Sequence, residues 1–358
     1  MSLRCMDQKF PLALSYNDVL LVPQYSEIDS RNDIDLSTQI TPRVKLEIPL
    51  ISINMTDVTG VEMAITLGKL GGLGFLPRFV SPEVQANMVA EVKNAGVYAA
   101  AAIGCRKGYL ERAEKLARAG ADILTLDVAH GHMLQALEAT AELKRRFGNV
   151  ADIISGVIGT EDGANDLYKY GADSVRVGVG PGTICITRIV TGSGVPQITA
   201  LLNAAKAARR WKRTILCDGG TNNSGDIVKG LAAGASAVVV GSQFAGTDEA
   251  PGKKIEKNGI FFKIYNASTS LTEKKNYLKV KGEKLGKNYT KQIEGIESMV
   301  KYRGQLSTVL EGMVANIRSG LSYSGAKNIV ELWKRAKFIR ITSLGKSENG
   351  THNVILAS

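Results

Sequence analysis

The stretch Glu161-Asp-Gly-Ala-Asn-Asp-Leu-Tyr-Lys-Tyr170-Gly-Ala-Asp-Ser174-Val-Arg-Val177-Gly-Val-Gly180-Pro-Gly-Thr-Ile-Cys185 holds, in order, a helical pattern, a glycine turn, a short apolar strand and a glycine-rich loop. Glycine after the last helical turn ends the helix in the left-handed conformation and returns the chain to a strand. The same formula stands at Ala119-Gly120-Ala121-Asp122 and Ala233-Gly234-Ala235-Ser236. Outward from these turns, apolar runs recur every 20 to 30 residues or so, the rhythm of βα units in a parallel sheet. The candidate strands are Ile48–Ile53, Leu73–Leu76, Tyr98–Ile103, Ile123–Asp127, Ile153–Val157, Ser174–Val177, Ile215–Asp218 and Ala237–Val240. Helical patterns lie between them at Val61–Lys69, Glu83–Ala95, Tyr109–Ala119, Met133–Arg146, Glu161–Tyr170, Ile198–Trp211 and Ser224–Ala233. Eight such strands predict an α/β protein with a (β/α)8 TIM barrel.

The rhythm stops after the eighth strand. Residues 246–301 are polar, lysine-rich and weakly periodic, and helical patterns resume at Ser307–Ser319 and Ala326–Lys337. A long insertion leaving the C-terminal end of a barrel strand, where barrels keep their active sites, reads as a mobile lid. The expected organisation is one barrel domain over 1–358 with the 246–301 lid within it.

The chain has 358 residues, 44% hydrophobic and 22% charged, enough to bury a large core. No apolar run approaches the ~18 residues of a membrane span and no signal-peptide pattern opens the chain, so no membrane partner and a cytoplasmic location are expected. The net charge of +11 is concentrated: 251–303 carries thirteen Lys and Arg against five Glu. Without interleaved aromatic platforms, such a segment fits small anionic ligands better than nucleic acid. The cysteines Cys5, Cys105, Cys185 and Cys217 form no CxxC pair, which argues against a disulfide framework and a zinc site.

Four strand ends are glycine-rich: Ile158-Gly-Thr160, Val177-Gly-Val-Gly-Pro-Gly-Thr-Ile-Cys185, Cys217-Asp-Gly-Gly220 and Val240-Gly-Ser242. Successive amides without Cβ atoms form an anion-binding concavity, and in late barrel loops that points to phosphate. Cys185, in a polar glycine-rich loop beside Arg188, is placed for nucleophilic attack on an electron-poor carbon. Cys105 and Cys217 lie in apolar runs and read as structural. Asp127 and Asp218 end strands, where a carboxylate reads as catalytic or ligand-binding, and Asp218 suits ribose hydroxyls. His130 and His132 follow Asp127 without the further ligands a metal would need. No GxGxxG opens a helix after a strand, so a dinucleotide would bind without a Rossmann unit.

Together these residues resemble the IMP dehydrogenase and GMP reductase family from Leu14 to about Thr342. The landmarks are Ser15-Tyr-Asn-Asp-Val-Leu-Leu-Val-Pro23, Asp127-Val-Ala-His-Gly131, Gly180-Pro-Gly-Thr-Ile-Cys-Ile-Thr-Arg-Ile-Val-Thr-Gly192, Gly194-Val-Pro-Gln197, Asp218-Gly-Gly220, Gly241-Ser242 and Ile293-Glu-Gly-Ile-Glu297. The resemblance implies that Cys185 attacks C2 of a purine nucleoside monophosphate while hydride passes to or from a nicotinamide, NAD or NADP. It places Thr187 beside the cysteine as a proton-relay partner and Glu294 at the base. Thr183, Asp218, Gly220, Gly241, Ser242, Tyr265 and Arg176 fall at substrate positions, and Asp127 falls near the nicotinamide. The carbonyls of Gly180, Gly182 and Cys185 match a potassium site, and the family's usual assembly is a homotetramer.

On reaction direction the motifs divide. Ala129-His-Gly131, Thr191-Gly-Ser-Gly-Val-Pro-Gln-Ile-Thr199, and Glu294-Gly-Ile-Glu297 with Lys301-Tyr-Arg-Gly304 and Arg318-Ser-Gly-Leu-Ser-Tyr323 resemble dehydrogenases. The lid lacks the Arg-Tyr pair with which dehydrogenases activate water, Asn266-Ala-Ser268 replaces a Gly-Met-Gly motif, and Asn54-Met-Thr-Asp-Val58 resembles bacterial reductases. No regulatory module is inserted after the second strand. The expectation is IMP dehydrogenase, with Tyr277, Tyr289 or a lid lysine as substitute base. GMP reductase is the alternative, and a silent nucleotide sensor or a barrel for another phosphorylated ligand stands further off.

Overall fold

The structure, a computed structural model, describes residues 10–281 and 290–350. Cys5, Tyr289 and the rest of 282–289 lie outside the described residues. Eight parallel strands close a barrel: β1 (Leu50–Ser52), β2 (Leu73–Leu76), β3 (Ala100–Ile103), β4 (Ile123–Asp127), β5 (Asp152–Ile158), β6 (Ser174–Val177), β7 (Thr214–Asp218) and β8 (Ala237–Val240). Each pairs with its successor and β8 pairs with β1. The helices between them are α1 (Val61–Lys69), α2 (Pro82–Asn94), α3 (Tyr109–Arg118), α4 (Leu134–Phe147), α5 (Glu161–Lys169), α6 (Gln197–Trp211) and α7 (Ser224–Ala232). The repeated glycines adopt the predicted left-handed backbone, with φ of +92° at Gly120, +98° at Gly171 and +112° at Gly234. Only five residues link β2 to α2, which leaves no room for an inserted module.

Alternation along the strands decides what points inward. Ile51, Leu73, Phe75, Ala100, Ile123, Ile154, Leu216, Ala237 and Val239 form one cluster inside the barrel. Ile40, Val44 and Leu46, from the antiparallel pair Thr38–Gln39 and Lys45–Leu46, join it and plug the N-terminal end. The outward residues Val175, Val177, Ile215 and Cys217 pack against the helices.

After β8 the structure departs from the expected weak periodicity. The insertion contains a three-stranded antiparallel sheet, β9 (Lys254–Lys257), β10 (Ile260–Asn266) and β11 (Glu297–Lys301), and a helix, α8 (Leu271–Lys281). The sheet is anchored by Lys263, a buried lysine whose ammonium donates to the carbonyls of Thr247 (2.8 Å), Asp248 (3.2 Å) and Ala250. Period-two alternation was masked there because one lysine is buried against carbonyls and another, Lys254, sits over the Phe261 and Tyr302 rings. The barrel is completed by α9 (Leu306–Tyr323) against α7, and Phe338–Arg340 pairs with Val19–Leu21. No helix among the described residues is long and apolar enough to cross a membrane.

Candidate active site

The inward positions at the C-terminal strand ends gather a line of charge. Asp127 ends β4, Arg176 sits on β6 and Asp218 ends β7, all with the same parity as Phe75 on β2. Arg176 is 2% exposed, donates a hydrogen bond from Nε to Asp218 Oδ2 at 2.8 Å and makes an ion pair to the same oxygen from Nη2 at 2.7 Å. Its Nη1 reaches Asp127 Oδ1 at 3.4 Å, and Arg78 Nε reaches Asp127 Oδ2 at 3.1 Å. Burial opposes ionisation of Asp127, but the two guanidinium groups outweigh it and hold the carboxyl below its usual range. For Asp218, burial dominates and pushes the carboxyl upward, with Arg176 pulling it back. Arg176 is therefore buried against two strand-end carboxylates rather than lying open to the surface.

The loop after β6 carries Cys185. Cys185 Sγ lies 3.2 Å from Thr187 Oγ1, and that hydroxyl donates to Glu294 Oε2 at 2.7 Å. These residues meet because the insertion pairs with the loop. Ile186 N donates to Glu294 O at 2.9 Å and Ile296 N to Ile184 O at 3.1 Å, so Cys185 and Gly295 form a bridge. A thiol, a hydroxyl and a carboxylate thus stand in series, an arrangement suited to moving a proton away from the reacting atom. Cys217 faces outward from β7, bonded to Tyr16 Oη at 2.9 Å, and burial pushes its thiol up to about 12. Cys105 is also buried.

The other end of the site is a backbone cradle. Gly219 and Gly220 have φ of +86° and +84°, and Gly241 precedes the short helix Ser242–Ala245. A Cβ on Gly241 would stand 2.6 Å from Tyr265 Oη, so a larger residue there would press on that hydroxyl. Tyr265 is buried and its phenol is pushed up to about 12, chiefly by burial, with a hydrogen bond to Thr183 acting the other way. It stays a protonated donor at neutral pH. A cavity of about 140 Å³ joins the two ends, and Thr183, Cys185, Gly220, Gly241, Tyr265 and Glu294 are in its lining.

The chain was compared with known proteins. The model of the IMP dehydrogenase / GMP reductase domain matches residues 13–352. The chain belongs to that family. An inosine-5'-monophosphate dehydrogenase from Cryptosporidium parvum is 36% identical, covering 95% of this chain and 95% of its own. One from Nitrosopumilus maritimus is 32% identical over 97% and 100%. A GMP reductase from Leishmania donovani is 30% identical over 96% and 97%. The crystal structure of a GMP reductase variant from Trypanosoma brucei in complex with guanosine 5'-monophosphate superposes with a TM-score of 0.90 at 28% identity, covering 97% and 99%.

As an IMP dehydrogenase / GMP reductase family member, the protein is an oxidoreductase that uses a nicotinamide cofactor. The residues read from its sequence fall into two groups in space. Cys185, Thr187 and Glu294 make one, with Thr183, Gly220, Gly241, Ser242 and Tyr265 along the same cavity. Arg176, Asp127 and Asp218 form the second, at the barrel axis. Gly182 O already accepts Cys185 N at 3.1 Å, so a cation on the Gly180, Gly182 and Cys185 carbonyls would use its second lone pair. His132 bonds Asp166 at 2.8 Å. Arg78, which the sequence reading did not single out, is the second cation on Asp127. It follows β2 directly as Leu76-Pro-Arg78, and the rule that charges at barrel strand ends serve the site would have found it.

Proposed function

We propose that this family member is an IMP dehydrogenase, converting inosine 5'-monophosphate, NAD+ and water to xanthosine 5'-monophosphate and NADH. The observation that carries the reading is the Cys185–Thr187–Glu294 series at one end of a cavity whose other end is a glycine cradle. Gly220, Gly241, Ser242 and the Tyr265 hydroxyl would hold the phosphate, and Asp218 the ribose. The Cys185 thiolate forms a bond to C2 as the C2 hydrogen leaves with its electron pair. Asp127 and Arg78 at the mouth would hold NAD+, which would supply the hydride acceptor. Water then adds to C2, its proton passing to Thr187 as the Thr187 proton passes to Glu294, and cleavage of the C–S bond frees the sulfur. This relay answers the missing Arg-Tyr pair without another lid residue as base.

Relatives named IMP dehydrogenase support this direction. The second reading, GMP reductase, is favoured by the lost Arg-Tyr pair and by the reductases among the relatives. Paired assays decide: IMP with NAD+ should give XMP and NADH, and release of ammonia and IMP from GMP and NADPH with no XMP from IMP would establish the reductase.

Residues 246–301 act in this reading as a mobile lid over one barrel domain. Ligand pockets run from roughly 300 Å³ upward, more than the present cavity, and Tyr265, Ala267, Ser268, Thr269 and Glu294 of the insertion line it. Opening that side admits the nucleotide. Potassium on the Gly180, Gly182 and Cys185 carbonyls would brace the cysteine loop, so activity in potassium chloride should exceed that in sodium chloride at equal ionic strength. The resemblance extends to a cytoplasmic homotetramer, for which sedimentation is the check.

A further inference from the structure

The first two turns of α8 touch four parts of the molecule at once. Thr272 N donates to Glu297 Oε1 at 3.1 Å, at the start of β11. Glu273, buried, accepts from Thr56 Oγ1 of the loop after β1 at 2.6 Å. Tyr277 meets Phe79, beyond β2, edge to face with centroids 5.0 Å apart. Between them Lys274, only 7% exposed, turns its ammonium to the carbonyl of Gln292, two residues before Glu294.

We propose that Lys274 is the positioning residue of the proton relay, its ammonium fixing the Gln292–Glu294 segment so that the Glu294 carboxylate meets Thr187, and laying a positive charge beside that carboxylate. The inference rests on Thr187 and Glu294 serving as the relay. A carbonyl needs only a neutral donor, whereas burying an ammonium is costly unless an opposite charge is near. Among the described residues, Glu294 favours the Lys274 ammonium and Arg106 opposes it. Burial is the largest influence and lowers the lysine below its ordinary value. Helix α8 thereby couples docking of the insertion on Thr56 and Phe79 to placement of the group that takes the proton.

The test compares Lys274→Met with Lys274→Arg. The Met variant should keep the NADH burst, because hydride transfer needs no relay, and lose roughly tenfold or more in steady-state turnover, part of the ~10² to 10⁴ that general acid–base help supplies. Wild-type turnover should fall at alkaline pH below the usual lysine range of ~10.4 as the charge is lost. The Arg variant should restore turnover and carry that limb to higher pH, since its guanidinium stays charged. Amide exchange across Gln292–Glu297 should rise in the Met variant and not in the Arg variant. Equal damage in both variants, an unmoved alkaline limb, or full turnover by Lys274→Met would each overturn the proposal. Glu294→Gln separates the two levels: if it turns over normally, the relay reading fails, and if it is impaired while Lys274→Met is not, only the role of Lys274 fails. Should the wild type run only as a reductase, the same profiles are read on GMP-dependent NADPH oxidation.

Discussion

Replacing Arg176 with Met would leave the packing volume nearly unchanged and strip Asp218 Oδ2 of its hydrogen bond from Nε at 2.8 Å and its ion pair with Nη2 at 2.7 Å, in a site where the arginine is 2% exposed. Asp127 keeps Arg78 at 3.1 Å, so the loss falls on Asp218. Breaking a buried pair from one side costs about 3–5 kcal/mol, a large part of the ~5–15 kcal/mol that holds a domain folded. Urea unfolding by circular dichroism should register that loss as a lower midpoint at constant slope. Adding Asp218→Asn should recover at least ~1.5 kcal/mol, since the double variant buries no lone charge, and double-mutant cycles read that coupling directly. The pH dependence has a definite sign. Burial raises Asp218 above its unfolded value of ~3.9, so in the Met variant the carboxyl's contribution is complete below that value and is lost as pH rises above it. The deficit should therefore shrink toward pH 4. A cost under ~1 kcal/mol at pH 7, or strict additivity with Asp218→Asn, would refute the claim that this pair supports the site.

Cys185→Ser should abolish turnover and the NADH burst while IMP binding measured by calorimetry stays within a few-fold, because the cradle is built from other residues; turnover near the wild-type rate would end the covalent mechanism. Gly241→Ala puts a Cβ 2.6 Å from Tyr265 Oη. It should weaken IMP binding about tenfold, ~1.4 kcal/mol, and pairing it with Tyr265→Phe should recover part of the loss, whereas unchanged binding would remove Gly241 from the cradle. Limited proteolysis should cut within 246–301 first in the free protein and more slowly with IMP and NAD+ present, and equal rates with and without ligands would count against the lid.

What the sequence determined by itself was periodicity and punctuation. Eight apolar runs separated by helical patterns, with Gly120, Gly171 and Gly234 at the turns, were enough to point to a closed barrel, because strand periodicity and left-handed glycine are local properties of the chain. Cys185, Thr187 and the glycine-rich strand ends were legible for a related reason: each lies in a segment that follows the C-terminal end of a strand, the face where barrels keep their sites. Other features depended on long-range meetings that no local pattern records. Glu294 joins Thr187 across 107 residues. Arg176 carried the right parity, yet only the closed barrel shows it buried between Asp127 and Asp218 rather than open to ligand. In the insertion, Lys263 and Lys274 read as solvated charge from composition, but the fold buries both, one on a fan of carbonyls and the other on the carbonyl of Gln292. A buried charge is set by what surrounds it in space, and those surroundings come from separate segments of the chain.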